Sequence, residues 1–413
     1  VETTLVVSII FILAASWILG TLFTRLRLPR ILGELLAGLI VGPAVLGIVK
    51  PSVGITELAD LGVFFLMFYA GMELDPRELL EHFGLAAVVA LGGFALPFAA
   101  GFGVARLFGA STFQALFIGL GASITAIAVQ ARILKEMEIH RSKVGHIVIG
   151  AAIADDIFAL IAFSILTGLA RTGRVHAGIV LLLFAKVAAF FAATILIGQF
   201  VMPRITMRLK DIEARGFTFA LVTALVMGFL AERAGLNLII GAFLAGQFVR
   251  REVVSAELYE KLSDRFRSLV YGFLGPIFFV SLSLYISFRL SGAEWGFLAL
   301  LVAVALLGKL VGCGLPALVS GRGWRESLVI GLGMNGRGAV ELIVANAVMA
   351  MSGTLLRQGV IAQPLLTQSQ FTILVLMAFV TTLVAPLSLR AVVPSVCSKS
   401  DRDFCQLWRG TSG

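Results

Sequence analysis

Asp155 and Asp156 stand side by side in an otherwise apolar run from Ile147 to Leu160. On a helix, adjacent side chains point about 100° apart, so the two carboxylates can serve different partners, one a cation and the other a lysine. Ionisable groups within a membrane are costly unless paired or hydrated, and are functional candidates by default. Burial penalises a charged carboxylate and a neighbouring cation favours it. A carboxylate balanced between the two can hold either H⁺ or a small metal ion, the requirement for competitive exchange. Lys309, in the run Leu306–Cys313, is too deep to snorkel easily, and its obvious partner is one of the two aspartates. A lysine so placed can exchange its proton; a purely structural salt bridge is the competing reading, as is an aspartate pair satisfied by neighbouring helices for stability alone.

Two further stretches combine glycines with polar side chains: Gly119–Ala128, which holds Ser123 and Thr125, and Gly331–Glu341, which holds Asn335 and Arg337. Both predict helices that unwind near mid-membrane, which is tolerated only where the backbone is buried or lines a cavity. Opposed half-helix ends bring partial charges there. Unwound carbonyls and the Thr125 hydroxyl are candidate cation ligands. Arg337 and Glu341, spaced i, i+4, can pair along one helix face, and the first reading is structural: a pair that holds the broken helix and compensates its dipoles. Glu34 and Glu73 fall near span ends and read as interfacial, Glu73 with an arginine as partner. Pro43, Pro97, Pro276 and Pro386 mark kinks or ends. His82, His140, His146 and His176 show no metal-ligand spacing and read as loop or surface residues.

The elements that must position these groups are membrane helices. Of 413 residues, 59% are hydrophobic and 14% charged, with a mean hydropathy of +1.00; soluble chains carry about 25% charge. That balance excludes a soluble enzyme, a disordered chain and a disulfide scaffold. The three cysteines form no metal-ligand pattern, and no cofactor is expected. At about 20 apolar residues per crossing, the chain reads as roughly thirteen spans: 3–22, 31–49, 57–74, 84–106, 113–134, 143–169, 177–203, 215–234, 236–250, 267–288, 294–319, 325–350 and 368–391. Residues 251–265 read as an amphipathic helix on the membrane surface, and no segment alternates as a membrane β-barrel strand does.

The net charge of +9 reflects cytoplasmic loops rather than nucleic-acid binding. With the N-terminus outside and the C-terminus inside, most lysines and arginines fall on the cytoplasmic side, among them Arg25, Arg27, Arg30, Arg132, Lys135, Arg141 and Lys143. Lys186, Lys309 and Arg337 remain within spans, Lys186 as a snorkelling or packing residue. A weak internal repeat relates Leu32–Gly42 to Leu236–Gly246 and Phe68–Leu74 to Phe278–Leu284. Spans 1–6 and 8–13 then form two halves of opposite orientation joined by span 7, with the two interrupted spans in corresponding places.

Gly71-Met-Glu-Leu-Asp75, Ser123–Ala128, Ala154-Asp155-Asp156, Pro276-Ile-Phe-Phe-Val280, Lys309 and Asn335–Leu342 together resemble the monovalent cation–proton antiporter superfamily. The nearest branch is the NapA-like Na⁺/H⁺ antiporters, related in transporter domain to Kef potassium–proton systems. The resemblance covers the chain to about residue 391 and leaves 392–413 as a short cytoplasmic tail. It implies an all-α, polytopic NhaA-like fold with inverted repeats and two crossed, unwound helices. It also implies a homodimer in which a scaffold domain holds a mobile six-helix core.

On that resemblance, Asp156 is the principal cation and proton carboxylate, and Asp155 pairs with Lys309 when no ion is bound. Thr125 and Ser123 lie on the unwound segment that assists. Kef-type proteins replace the first aspartate with glutamine; aspartate at 155 implies electrogenic Na⁺ or Li⁺ exchange for H⁺, and the expected motion is an elevator movement of the core against the dimer domain. The expected location is the cell inner membrane. K⁺/H⁺ exchange or K⁺ efflux by the same fold, an organic-anion symporter and a non-transporting membrane sensor are the alternatives; an enzyme is least expected, since no nucleophile–base set is present.

Overall fold

The computed structural model describes residues 5–172, 177–201, 213–249, 256–286, 288 and 290–397, and every regular element among them is helical. In chain order the helices are α1 (Leu5–Arg25), α2 (Arg30–Val41), α3 (Val53–Glu73), α4 (Pro76–Glu81), α5 (Phe83–Leu107), α6 (Thr112–Ser123), α7 (Ile127–Glu136), α8 (Lys143–Thr172) and α9 (Ala177–Leu196). They continue as α10 (Glu213–Arg233), α11 (Leu238–Gly246), α12 (Ala256–Leu269), α13 (Gly275–Ser283), α14 (Gly292–Val319), α15 (Trp324–Gly333), α16 (Ala339–Arg357) and α17 (Gln368–Cys397).

Among the described residues, nine helical runs are long and apolar enough to cross a membrane, and Leu181–Leu196, Leu238–Val249 and Ile343–Arg357 are shorter apolar helices. The chain is therefore a multi-pass membrane protein. The expected span 31–49 is helical only over α2, because Gly42-Pro43 ends it and residues 42–49 turn back. One of the nine runs, Thr112–Glu136, consists of α6 and α7 with a break between them, and a second break separates α15 from α16.

The expected surface helix at 251–265 is not a separate element. Residues 251–255 lie outside the described residues, but from Ala256 the helix runs on through Ser283 with one wider turn at Val270–Leu274. Phe266 pins it, fully buried with its ring 4.7 Å from that of Phe68. Pro276 removes one backbone donor, and the ladder loosens to the wider turn before it rather than breaking. At the far end α17 continues to Cys397, past the expected start of the tail at 392; residues 398–413 lie outside the described residues.

Packing sorts most helices into two bundles. In one, α1, α2, α3, α10, α11 and α13 pack on one another; in the other, α5, α6, α8, α14, α15 and α17 do. They meet chiefly where α7 lies against α3 and α2, and where α17 touches α2. Close approach of α5 and α14 depends on glycine: a Cβ on Gly92 would lie 2.2 Å from the Gly312 carbonyl oxygen. This brings Lys309, one turn before Gly312 on α14, against the face of α8, which also packs on α5.

Candidate functional site

The two interruptions touch. After Ser123 the backbone extends through Ile124 and Ala126 before α7 begins, and after Gly333 it leaves helix until Ala339. The Ala126 N–H donates to the Gly336 carbonyl at 3.1 Å, and the Gln130 amide donates to the same oxygen at 3.1 Å. The Thr125 hydroxyl faces the Met334 carbonyl at 3.5 Å. Helix ends leave backbone donors and acceptors unpaired, and here each break supplies partners for the other.

Asp155 closes the remaining gap. Its Oδ2 accepts the Thr125 N–H at 2.8 Å, at the N-terminal end of α7 where the helix dipole favours an anion. Lys309 Nζ donates to both Asp155 oxygens at 3.2 Å, and both side chains are fully buried. Asp156, next on α8, is 2% exposed, and its Oδ1 is buried without a hydrogen-bond partner. The adjacent carboxylates thus differ: one is neutralised by a lysine and a backbone donor, and the other offers an open oxygen. Ser123 is buried at the end of α6, but its hydroxyl donates back to Leu120 at 2.7 Å, so no hydrogen bond joins it to the aspartates.

Arg337 spans the crossing. Its Nη1 donates to the carbonyls of Gly121 at 3.0 Å and Ile124 at 2.9 Å, and its Nη2 to that of Ala122. These are the last carbonyls of α6, where a cation is favoured by the helix dipole. Glu341 lies farther off, its Oε2 4.0 Å from Arg337 Nη1. The Arg337 backbone is locked by Thr382 on α17, which accepts its N–H at 3.0 Å and donates to its carbonyl at 2.8 Å. Sequence reasoning missed Thr382 and Gln130; the only signal was a polar group in an apolar span.

Toward its C-terminal end α7 carries a charged face that the sequence assigned elsewhere. Arg132 is not a loop residue: it is 3% exposed, with Nη2 3.3 Å from Glu34 on α2 and Nε 2.6 Å from Glu136. Its guanidinium lies 4.3 Å from the centre of the Tyr271 ring. Glu34 is fully buried rather than interfacial, and takes Arg30 at 3.2 Å as a second partner. Glu73 pairs with Lys135 rather than with an arginine, and accepts from the Tyr69 hydroxyl at 3.1 Å. Lys186, on α9, is exposed.

Two of the histidines are less open than loop or surface residues would be. His146 is buried, with Nδ1 2.9 Å from the Ser142 carbonyl. His140, in the turn between α7 and α8, lies 3.8 Å from Glu73. Burial, together with Lys135 and Arg141, pushes His140 down to about 3. His176 lies outside the described residues.

Comparison with known proteins converges on one group. A family model described as sodium/hydrogen exchanger, transmembrane, matches residues 9–394. The chain is 33% identical over 380 residues to the Na⁺/H⁺–K⁺ antiporter GerN of Bacillus cereus, covering 92% of this chain and 93% of that protein. It is 29% identical over 382 residues to a Na⁺/H⁺ antiporter of Enterococcus hirae, covering 92% and 95%. An electron-microscopy structure of the sodium proton antiporter MjNhaP1 from Methanocaldococcus jannaschii is similar over 100% of both chains, with a TM-score of 0.72 at 15% identity.

Proposed function

Because the chain belongs to the transmembrane sodium/hydrogen exchanger family, we propose that it is a secondary transporter that exchanges Na⁺ or Li⁺ for H⁺. The observation that carries this reading is the pairing of Lys309 with Asp155 at the meeting of two helix breaks, beside an Asp156 oxygen without a partner. Asp156 is the carboxylate that takes either the cation or a proton. Asp155 is held by Lys309 while no cation is present; cation entry draws Asp155 away, and Lys309 is then free to release its proton. Thr125 and the carbonyls of the two breaks complete the coordination, with Ser123 on the same unwound segment. Arg337 keeps the breaks crossed while the ions change. Exchange is electrogenic if Lys309 gives up its proton in each cycle.

Movement follows the division into bundles. The core of α5–α8 and α14–α17 slides against the scaffold as an elevator, and the scaffold forms a homodimer. The chain crosses the cell inner membrane thirteen times, with α2, α9, α11 and the split helices as full crossings. Its two inverted halves are joined by the span of α9, and the arginine-rich ends face the cytoplasm. K⁺/H⁺ exchange by the same site is the second reading, favoured by the similarity to GerN, whose name includes K⁺.

The test is proton flux in proteoliposomes with an imposed pH gradient, adding Na⁺, Li⁺ and K⁺ separately under clamped and unclamped voltage. A voltage-dependent Na⁺ or Li⁺ response supports the first reading, and a response to K⁺ alone the second. No response to any cation contradicts both and returns the chain to a sensor role.

A further inference from the structure

Glu341 has no assigned place in the exchange, and its surroundings are unusual. It sits in the first turn of α16, immediately after the second break, and is 1% exposed. Both of its carboxylate oxygens are buried without any hydrogen-bond donor. Its nearest cation is Arg337, 4.0 Å away. The two terminal nitrogens of Arg337 are already committed to Gly121, Ala122 and Ile124, so the guanidinium is anchored on α6 rather than on Glu341. The pair that the i, i+4 spacing suggests is therefore a loose one, and Arg337 works chiefly as a cap for α6.

The charged groups that bear on Glu341 are few. Arg337 and, more distantly, Lys309 on α14 act on it. Of the helices packed on α16, α6 carries no charged residue, and α17 carries only Arg390, about two turns beyond Thr382. Around the crossing are three buried carboxylates, Asp155, Asp156 and Glu341, against two buried cations, Lys309 and Arg337. If all five are charged, one negative charge is left over, and an uncompensated charge in a membrane interior is expensive. A single cation at Asp156 balances the set. When the cation leaves, one proton must replace it, and Glu341, with neither oxygen hydrogen-bonded, and Asp156, with its Oδ1 open, can receive it.

We propose that Glu341 is a second protonatable group of the exchange cycle, sharing with Asp156 the proton that is released when the cation binds. Glu341 takes the proton as R–COO⁻ + H⁺ → R–COOH when the site is empty, and returns it when a cation settles on Asp156. Coupling between them is electrostatic, and Arg337, the cation nearest to Glu341, keeps its charge throughout. The proposal rests on the exchange reading above, with Asp156 as the cation site.

The experiment is calorimetric titration of purified protein with NaCl, or with the cation that proves active, in two buffers of different ionisation enthalpy, which counts protons released per cation bound. Wild type is compared with Glu341→Gln, Glu341→Asp and Asp156→Asn, alongside infrared difference spectra of the protonated-carboxyl band on cation addition. Glu341→Gln is expected to bind the cation, release fewer protons per cation than wild type, and lose part of the carboxyl band. Glu341→Asp, which keeps a titratable group, is expected to restore proton release at least partly even where the glutamine variant is unstable. Unchanged proton release and an unchanged band in folded Glu341→Gln overturn the proposal. So does equal loss of proton release in both Glu341 variants when cation affinity is intact. Cation binding that survives undiminished in Asp156→Asn instead overturns the exchange reading itself.

Discussion

Lys309 lies equidistant from the two oxygens of Asp155, 3.2 Å from each, and all three atoms belong to fully buried side chains. The bond joins α14 to α8 at the point where α7 begins, so one ion pair ties two core helices to the crossing of the breaks. Removing one member of a buried pair leaves the other uncompensated, which costs about 3–5 kcal/mol. Lys309→Gln is therefore expected to lower the midpoint of thermal unfolding strongly, with Asp155→Asn, Lys309→Gln together costing less than the sum of the single changes. Strict additivity of the two would show that the pair does not form in the membrane.

Asp156 is the contrasting case. Its Oδ1 accepts no hydrogen bond, and among the described residues Lys309 pairs with Asp155 rather than with Asp156, so Asp156→Asn removes a like charge beside Asp155 without breaking that pair. Its thermal stability in detergent should equal or exceed that of wild type while cation binding is lost. A large drop in stability would mean that Asp156 has a structural partner.

The face of α7 gives a stability prediction away from the ion site. Arg132 bridges Glu34 and Glu136, and Glu34 is fully buried. Arg132→Met leaves buried Glu34 with Arg30 as its remaining cation and takes Arg132 from Glu136, so it should destabilise by less than the roughly 3–5 kcal/mol of a fully broken buried pair, and Glu34→Gln in the same chain should recover part of that loss. Chemical unfolding of the two single variants and the double variant measures the coupling; no recovery would place the stabilising contribution of Arg132 in its stacking on Tyr271 instead.

Thr382 makes two hydrogen bonds to the Arg337 backbone. Thr382→Val keeps the shape and removes both, leaving a buried N–H and C=O unpaired, at a cost of about 1–3 kcal/mol for each unpaired group. Faster hydrogen exchange confined to residues 334–340 is the expected signature, and uniform protection there would count against it.

His140 contributes a pH dependence of defined sign. Its folded value is depressed to about 3 by burial and by Lys135 and Arg141, so the unfolded chain binds the proton first as pH falls. Stability is then complete above the unfolded value and declines below it, by about 2 kcal/mol at pH 5 for an unfolded value near 6.5. His140→Gln should flatten this part of the stability profile. A profile as steep as that of wild type would assign the acid sensitivity to other groups.

Much of the site was legible in the sequence because charge is rare in apolar helices. Asp155, Asp156, Lys309 and Arg337 stand out against their neighbours, and the glycines beside Thr125 and Asn335 mark where helices part. What was not legible depends on contacts between distant segments. Glu34 and Arg132 are 98 residues apart in the chain, and each looks like an end-of-span residue until α2 and α7 are set side by side. Arg337 looks like the partner of Glu341 because i, i+4 spacing is visible in sequence, whereas the end of α6 is not. The run from Ala256 to Ser283 misled for another reason: its polar first half and apolar second half suggest two environments, yet no residue between them stops a helix.

In the proposed exchange, Asp156 carries the transported cation and its counter-proton in turn. The most direct measurement is cation-driven dissipation of a pH gradient in proteoliposomes containing equal amounts of wild type or Asp156→Asn. The expected result is a response to Na⁺ or Li⁺ in wild type and none above protein-free vesicles in the variant, with both proteins folded and reconstituted alike. Undiminished exchange by Asp156→Asn would contradict the account.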